Sequence, residues 1–227
     1  MPLYTADALV LRTYKLGEAD RIVVFLTRDR GKKRGVAKGA RRQRSRFLGA
    51  LEPLTEVRVA YFEKERRELV GLNYAETIRS PMALIGSGTA EGPTRVGPYE
   101  YLGYFAELLD EWAQEADADD RLYRLGASML DALAVGAPVE PLARYFEYWL
   151  LRLQGVYPES RGSLSDAAVA FLTASRSAPP DRVGELAAEG GALRELETVH
   201  RALITMHLEK TLKSDRVLRD LRRSDLS

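Results

Sequence analysis

The sequence predicts an α+β protein in which about five β-strands come first and an all-α region follows. Residues 5–78 contain short apolar runs, rich in β-branched residues and separated by turns. Beyond residue 96, apolar residues recur at intervals of three and four. The segment SPMALIGSGTAEGPTRV between them is rich in Gly, Pro, Ser and Thr, which disfavour regular structure. The expected parts are a β domain over residues 1–80, a linker over residues 81–96 and a helical domain over residues 97–227.

The β domain is expected to contain short strands with no helix-length amphipathic run between most of them. In TEVRVAYFE, Val57, Val59 and Tyr61 lie on one face of the predicted strand, opposite Arg58 and Phe62. Strands of this length and number favour a small antiparallel barrel or sandwich. The predicted strands are TADALVLRTY, RIVVFLT, KRGVAK, TEVRVAYFE and LVGLNYAETI.

The second region is expected to form amphipathic helices. The first of them carries one apolar stripe, which includes Leu102 and Phe105. Pro141 lies at the start of the third, and Ser163 or Ser165 is the expected cap of the fourth. PMALIG is expected to add a short helix within the linker. The predicted longer helices are YEYLGYFAELLDEWAQEA, RLYRLGASMLDALAVG, PLARYFEYWLLRLQG, SLSDAAVAFLTAS, ALRELETVHRALITMHLEKTL and SDRVLRDLRR.

The composition excludes several classes of site. The chain has no cysteine, which rules out disulfides, thiolate metal sites and a cysteine nucleophile. No apolar run reaches the length of about eighteen residues that a membrane span needs. The N-terminus also lacks the pattern of a signal peptide. We therefore expect a soluble cytoplasmic protein.

Motifs of common catalytic sites are missing from the sequence as well. There is no G-x-x-x-x-G-K-[ST] phosphate loop, no G-x-S-x-G nucleophile turn and no H-E-x-x-H zinc motif. His200 and His207 lie on one predicted helix, and we expect two exposed or half-buried histidines there rather than a metal site. Asp117, Asp119 and Asp120 are interpreted as capping and solvating residues of a polar turn. A protein that is not an enzyme is the better prediction.

Positive charge is concentrated near the N-terminus, although the whole chain has a formal net charge of only +1. Residues 1–80 contain 18 Lys and Arg against 10 Asp and Glu, a net charge of +8, whereas residues 81–227 contain 16 against 23, a net charge of −7. In residues 31–46, GKKRGVAKGARRQRSR, eight positions are Lys or Arg and none is acidic. Such a cluster favours binding to a phosphate backbone, which its glycines allow to come close.

Two other interpretations of this basic stretch remain open. It could be a solvated surface loop without a ligand, or the loop of a structural adaptor that binds an acidic protein. The nearby aromatic residues are ambiguous too. Phe62 shares a strand face with Arg58, and Phe47 follows the basic stretch; each could stack on bases or cover apolar surface.

Several motifs, in their order and spacing, strongly resemble the RecO family of bacterial DNA repair and recombination mediator proteins. They are LGEADRIV, TRDRGK, GVAKGARR and SRFLGALEPLT, followed by ARYFEYWLLRLQG, LSDAAVAFL and LEKTLKSDRVLRDL, and they cover nearly the full chain. The resemblance implies an N-terminal five-stranded OB-fold β-barrel followed by an all-α helical bundle domain. It also implies DNA binding, annealing of complementary strands, and loading of the RecA recombinase onto DNA coated by single-stranded DNA-binding protein.

The resemblance further implies two protein partners, RecR and the acidic C-terminal tail of the single-stranded DNA-binding protein. It implies no nucleotide hydrolysis and a cytoplasmic, nucleoid-associated location. This sequence departs from the family in one respect. Many members carry a four-cysteine zinc module before the LS-x-A-A helix, whereas only VYPESRGS lies between Gly155 and Leu164 here. We therefore expect no zinc and no other cofactor.

The DNA-binding and partner-binding surfaces that the resemblance implies map onto specific residues. Arg12, Arg21 and Arg28 could serve either the fold or DNA. An acidic tail needs a cationic rim beside an apolar pocket, which the residues around Leu212 and Leu218 could provide; their charges could instead stabilise a helix C-terminus. The expected DNA-binding residues are Arg30, Lys32, Lys33, Arg34, Lys38, Arg41, Arg42, Arg44 and Arg46. The expected partner-binding residues are Lys210, Lys213, Arg216 and Arg219.

Overall fold

The computed structural model of the protein contains two compact units of chain. The barrel unit comprises Met1–Leu84 and Ala106–Ala127, and the helical unit comprises Ile85–Phe105 and Ser128–Ser227. Each unit draws on two separate stretches of the sequence. The residues that the structure describes are 2–63, 68–85, 97–158 and 164–224.

The short helix predicted within the linker is confirmed as α1, which spans Pro81–Ile85. The rest of that linker, residues 86–96, lies outside the described residues. The predicted division into a domain over residues 1–80, a linker and a domain over residues 97–227 stays a prediction.

Five strands form a closed barrel in the order β1-β2-β3-β5-β4, which confirms the predicted barrel. All neighbouring strands are antiparallel except β3 and β5, which pair in parallel over Gly35–Ala37 and Val70–Leu72. The barrel is thus antiparallel as expected apart from this one pair, in which a long connection that includes β4 lets β5 run in the direction of β3. The strands are β1 Leu3–Leu16, β2 Asp20–Thr27, β3 Gly31–Ala37, β4 Glu56–Phe62 and β5 Val70–Arg79.

One face of each strand fills the barrel interior. Val57, Val59 and Tyr61 of β4 are buried there, which confirms the face predicted from their alternation. Phe25 of β2 and Leu72 of β5 belong to the same core. Because inward and outward residues alternate along each strand, large apolar side chains at these positions fill a barrel of this size.

A short extended segment after α2, residues 114–116, covers the start of β3. The paired part of β3 and β5 begins at Gly35, so the first residues of β3 need other partners for their backbone groups. The Lys32 amide donates a hydrogen bond to the Gln114 carbonyl (2.9 Å), and the Ala116 amide donates one to the Lys32 carbonyl (3.4 Å). These hydrogen bonds pair the amide and carbonyl of Lys32 at a strand edge that would otherwise be exposed.

Six longer helices confirm the predicted helical region, and a 3-10 helix not foreseen from the sequence lies between α5 and α6. At the start of α5 the Ser165 hydroxyl accepts a hydrogen bond from the Ala168 amide (3.3 Å), so Ser165 is the cap; Ser163 lies outside the described residues. The helices are α2 Pro98–Trp112, α3 Asp120–Ala134, α4 Val139–Leu153, α5 Asp166–Ser175, the 3-10 helix Pro180–Glu185, α6 Gly190–Leu208 and α7 Lys213–Ser224.

The helix α4 lies at the centre of the helical unit and packs against α5, α6 and the 3-10 helix. Phe146 of α4 is fully buried, with its ring centroid 4.8 Å from that of Phe105. Leu150 and Leu151 are also buried, so the apolar side of this helix supplies much of the core.

Candidate nucleic-acid interface

The basic loop, comprising Lys38–Arg46, follows β3 and is anchored on the turn between β1 and β2. The Gly39 amide donates a hydrogen bond to Asp20 Oδ1 (2.8 Å), and the Arg41 amide donates one to the Ala19 carbonyl (2.9 Å). Gly39 has a φ of 71°, a left-handed conformation that glycine adopts without a steric penalty. The first half of the loop is therefore held in place by hydrogen bonds that its own main-chain amides donate.

The second half of the basic loop is held by tight turns and by the core. The Arg42 amide donates to the Gly39 carbonyl and the Ser45 amide donates to the Arg42 carbonyl, both at 3.1 Å. Directly after the loop, Phe47 and Leu51 are buried in the barrel core. With both ends fixed, the loop presents its long cationic side chains to solvent, where they are exposed.

Six cationic side chains on β3 and the basic loop share two properties. They are exposed, and none forms an ion pair with a carboxylate among the residues that the structure describes. These six cations are Arg34, Lys38, Arg41, Arg42, Arg44 and Arg46. In the same unit Arg58 pairs with Asp7 (2.9 Å) and Arg79 with Glu56 (2.5 Å). The six cations therefore form a local positive field that an anionic ligand would relieve.

Two other predicted DNA-binding residues are already engaged by the barrel unit itself. Lys32 Nζ donates to the Asp110 carbonyl (2.6 Å) and lies 3.3 Å from the Asp110 carboxylate. Lys33 Nζ lies 2.8 Å from Glu63 Oε1. Both lysines are half-buried. A phosphate would have to displace these carboxylates, so the contacts favour a structural role for both side chains.

The strand β3 separates Arg30 from the predicted DNA-binding residues of the basic loop. Arg30 comes before β3, whereas the basic loop comes after it. Seven residues of strand extend over about 20 Å, so the structure does not bring Arg30 next to the loop. A nucleic-acid strand that touched both would have to run along β3, past Arg34.

Arg12, Arg21 and Arg28, whose role the sequence left open, all contact the barrel unit. Arg12 Nε lies 3.3 Å from the Asp110 carboxylate, and Arg28 Nε lies 2.9 Å from Asp120 Oδ1. The hydrogen bond to Asp120 raises the pKa of Arg28. Arg21 donates to a threonine hydroxyl of β1 (3.2 Å). For Arg12 and Arg28, these partners favour the structural interpretation.

The two aromatic residues considered as stacking platforms have different environments. Phe47 is 2% exposed and packs in the barrel core, so the stacking interpretation is wrong for this residue. Burial of the whole ring stabilises the fold by more than an exposed ring could. Phe62 is half-buried at the end of β4. Stacking on Phe62 stays a prediction.

The predicted partner-binding residues lie around the junction of α6 and α7. Lys210, Lys213 and Arg216 are exposed, and Arg219 Nε lies 3.3 Å from Asp215 Oδ2. The apolar residues Leu212 and Leu218 are only 4% and 5% exposed. They therefore form no open apolar pocket in the described part of this unit, and the partner-binding role stays a prediction.

The expectation that both histidines are exposed or half-buried is wrong for His200. Its side chain is fully buried, with Nδ1 3.0 Å from Glu147 Oε2 and Nε2 3.4 Å from the Tyr157 hydroxyl. A signal was present in the sequence, since His200 continues the apolar stripe of Leu196 and Ile204 along α6. His207 is exposed, as expected.

In the acidic turn before α3, the predicted capping role is confirmed for Asp119. Asp119 Oδ1 accepts hydrogen bonds from the amides of Arg121 (3.0 Å) and Leu122 (3.1 Å), which caps the helix. Asp120 pairs with Arg28 and with Arg124. Among the described residues no group of three or more His, Asp and Glu side chains is arranged to hold a metal ion. No helix among the residues that the structure describes is long and apolar enough to cross a membrane.

Comparison with known proteins gives two matching family models. Recombination protein O N terminal matches residues 1–81, and Recombination protein O C terminal matches residues 98–162. A DNA repair protein RecO of Koribacter versatilis is 41% identical over 157 residues, which cover 69% of this chain and 61% of that relative. One of Anaeromyxobacter sp. (strain K) is 38% identical over 150 residues (66% and 56%), and one of Bifidobacterium adolescentis is 58% identical over 135 residues (59% and 51%). The chain thus spans 51% to 61% of the length of these relatives.

Proposed function

Because this chain belongs to the RecO family, we propose that it takes part in DNA repair as a DNA-binding recombination mediator. The observation that carries the proposal is a set of six cationic side chains, Arg34 and the five cations of the basic loop. They are exposed and have no carboxylate partner in the described part of the chain. A closed five-stranded barrel holds them. Barrels of this kind bind single strands through a positively charged groove.

Binding is to the phosphate backbone of single- or double-stranded DNA, with little preference for sequence. Lys and Arg side chains on phosphates release condensed counterions, which supplies the free energy of non-specific binding. Contacts with phosphates carry no direct information about base sequence. The anchored basic loop suits this role because its side chains are positioned without being neutralised.

Charge neutralisation also accounts for strand annealing. Two complementary strands repel each other through their phosphates before base pairs form. A cationic surface that contacts both strands lowers this repulsion and raises their local concentration. The basic loop therefore favours the encounter, and base pairing itself selects the complementary sequence.

In this proposal the protein also helps to load RecA onto DNA coated by single-stranded DNA-binding protein. RecR and the acidic tail of the coating protein are the proposed partners, and the helical unit provides their docking surface. The cations Lys210, Lys213, Arg216 and Arg219 are the proposed contacts for the acidic tail. The role needs no nucleotide hydrolysis by this chain, and it places the protein at the nucleoid.

The first test is equilibrium binding of a fluorescent single-stranded oligonucleotide at two salt concentrations. The test variant has Lys38, Arg41, Arg42 and Arg44 changed together to Ala. We expect salt-sensitive binding by the wild type and a loss of at least tenfold in affinity in the variant, since four phosphate contacts are removed.

The matched control has Arg121, Arg124, Arg182 and Arg194 changed together to Ala. These arginines are exposed and lie outside the basic loop, so the control loses the same formal charge. It should retain most of the wild-type affinity. Equal affinity of the wild type and the test variant would move the DNA site away from the basic loop. No binding by the wild type at low salt would instead support the adaptor, whose loop binds an acidic protein.

The mediator role needs its own assay. Annealing of two complementary labelled oligonucleotides should be faster with the wild type than without protein, and slower with the quadruple basic-loop variant than with the wild type. RecA filament formation on coated DNA should then depend on this protein together with RecR. DNA binding without any effect in both assays would leave a DNA-binding protein that is not a mediator.

A further inference from the structure

One predicted DNA-binding arginine has a geometry unlike that of the basic loop. Arg30 Cζ lies 4.4 Å from the centroid of the Tyr4 ring, which is the distance of a cation–π contact. The Arg30 side chain is still 44% exposed. Its nearest carboxylate is that of its neighbour Asp29, at 3.6 Å. Because the guanidinium is planar and remains partly exposed while it contacts the ring, it can also contact a second planar group.

The turn between β2 and β3 positions Arg30 firmly. Thr27 is fully buried, and its hydroxyl donates to the Gly31 carbonyl (2.8 Å) and accepts from the Arg30 amide (3.0 Å). Gly31 has a φ of 67°, which closes the turn in a left-handed conformation. The backbone of Arg30 is therefore fixed by contacts that do not involve its own side chain.

The Tyr4 ring packs against aromatic rings of the barrel core. The Tyr4 and Tyr61 centroids are 5.6 Å apart, and those of Tyr61 and Phe25 are 5.8 Å apart. Burial raises the pKa of Tyr61 to about 12, so its hydroxyl stays protonated. Tyr61 itself is fully buried in the barrel core, so it gives the Tyr4 ring a fixed apolar contact.

We propose that Arg30, seated on Tyr4, is a stacking platform for a nucleobase of single-stranded DNA. The inference rests on the proposed function and adds to it a site that contacts bases rather than phosphates. Base stacking on an arginine plane tolerates any base, since each has a π-face. With the basic loop at the far end of β3, the protein holds phosphates at one end of this strand and a base at the other.

The test compares two oligonucleotides of equal length, one of thymidines and one in which every base is replaced by an abasic spacer. Both carry the same number of phosphates. Stacking should make the wild type bind the thymidine strand about fivefold more tightly or better, beyond the contribution of phosphates. The test variants are Arg30→Lys, which keeps the charge but loses the plane, and Tyr4→Leu, which removes the ring beneath it.

Both variants should bind the abasic strand as the wild type does and lose the preference for bases. The control is Arg121→Lys on α3, which should keep the preference, since Arg121 is exposed, lies outside the basic loop and has no described contact with a ring. An unchanged preference in Arg30→Lys would overturn the proposal. An equal loss on both strands would overturn it too, because Arg30 would then be a phosphate contact. If the wild type binds neither strand, the proposed function itself fails.

Discussion

At the scale of single residues, the carboxylate of Glu147 organises the buried polar groups of the helical unit. It accepts hydrogen bonds from Arg144 (2.9 Å) and from the Tyr104 hydroxyl (2.6 Å), and its second oxygen lies 3.0 Å from His200 Nδ1. Burial raises the pKa of Tyr104 well above its ordinary range, so the hydroxyl remains a donor. Arg144 is almost fully buried, and the Glu147 carboxylate is the charge nearest to it.

The change Glu147→Ala should therefore destabilise the protein strongly. It leaves the Arg144 guanidinium buried without its closest counter-charge, which typically costs about 3–5 kcal/mol. Thermal unfolding should show the loss as a fall in melting temperature on the order of 10 °C. The control is Glu185→Ala, which removes an exposed partner of Arg182 and should change the melting temperature little. Similar small shifts in both variants would show that Arg144 finds another partner.

Glu197 gives a prediction about pH. Burial alone would raise its pKa, but Arg144 (3.6 Å), Arg222 (2.7 Å) and Arg201 hold the pKa of this carboxylate below its usual range. A pKa that is lower in the folded than in the unfolded state contributes stability above the unfolded value of about 4.3, and this contribution is lost as the pH falls.

The matching variant is Glu197→Gln, measured by thermal unfolding between pH 7 and pH 3. At pH 7 the variant should melt at a lower temperature than the wild type. As the pH falls below about 4.3, the difference in melting temperature should shrink. The wild-type carboxylate then takes up a proton, first in the unfolded and at lower pH in the folded state, and the contribution of its charge to stability is lost. A difference that stays constant with pH would mean that the carboxylate charge does not contribute to stability.

At the scale of elements, the patterns that repeat along the chain were predictable, and the pairings between distant segments were not. The alternation in β4 identified Val57, Val59 and Tyr61 as the inward face, because that signal is local. The parallel pairing of β3 with β5 and the hydrogen bonds from residues 114–116 to β3 join positions far apart in sequence. Neither leaves a periodic trace in the residues that it joins.

The segment that covers β3 depends on one glycine. Gly31 has a φ of 67°, and a Cβ atom there would lie 2.4 Å from the Asp117 carbonyl oxygen. We expect Gly31→Ala to lower the free energy of unfolding by about 1–3 kcal/mol from the backbone conformation alone. The clash should also separate the two segments, so hydrogen exchange at the Lys32 amide, which bonds to Gln114, should become faster.

The control for this change is Gly71→Ala in β5. A Cβ atom at Gly71 meets no heavy atom within 4 Å, and its φ is not in the left-handed range. The substitution should leave both stability and exchange at Lys32 near the wild-type values. Equal effects of the two substitutions would show that the close approach to Asp117 is not what makes position 31 sensitive.

At the scale of the whole molecule, the sequence located the positive charge but not which cations lack a carboxylate partner. The net charge of +8 in residues 1–80 is partly neutralised within the barrel unit by acids that come later in the chain. Asp110 lies beside Arg12 and Lys32, and Asp120 beside Arg28. These acids are 78 to 98 positions away from the cations, so only the fold shows which cations remain for a ligand.

The number of cations without a carboxylate partner predicts how DNA binding depends on salt. If all six cations on Arg34 and the basic loop contact phosphates of a single strand, the logarithm of the binding constant should fall with the logarithm of salt concentration at a slope of about −4. Changing Lys38, Arg41, Arg42 and Arg44 to Ala leaves two of the six, so the slope should weaken to about −1.4. The measurement is a titration of one oligonucleotide at several salt concentrations. A wild-type slope near zero would contradict the electrostatic account, and a variant slope that stays near about −4 would place the phosphate contacts on other cations.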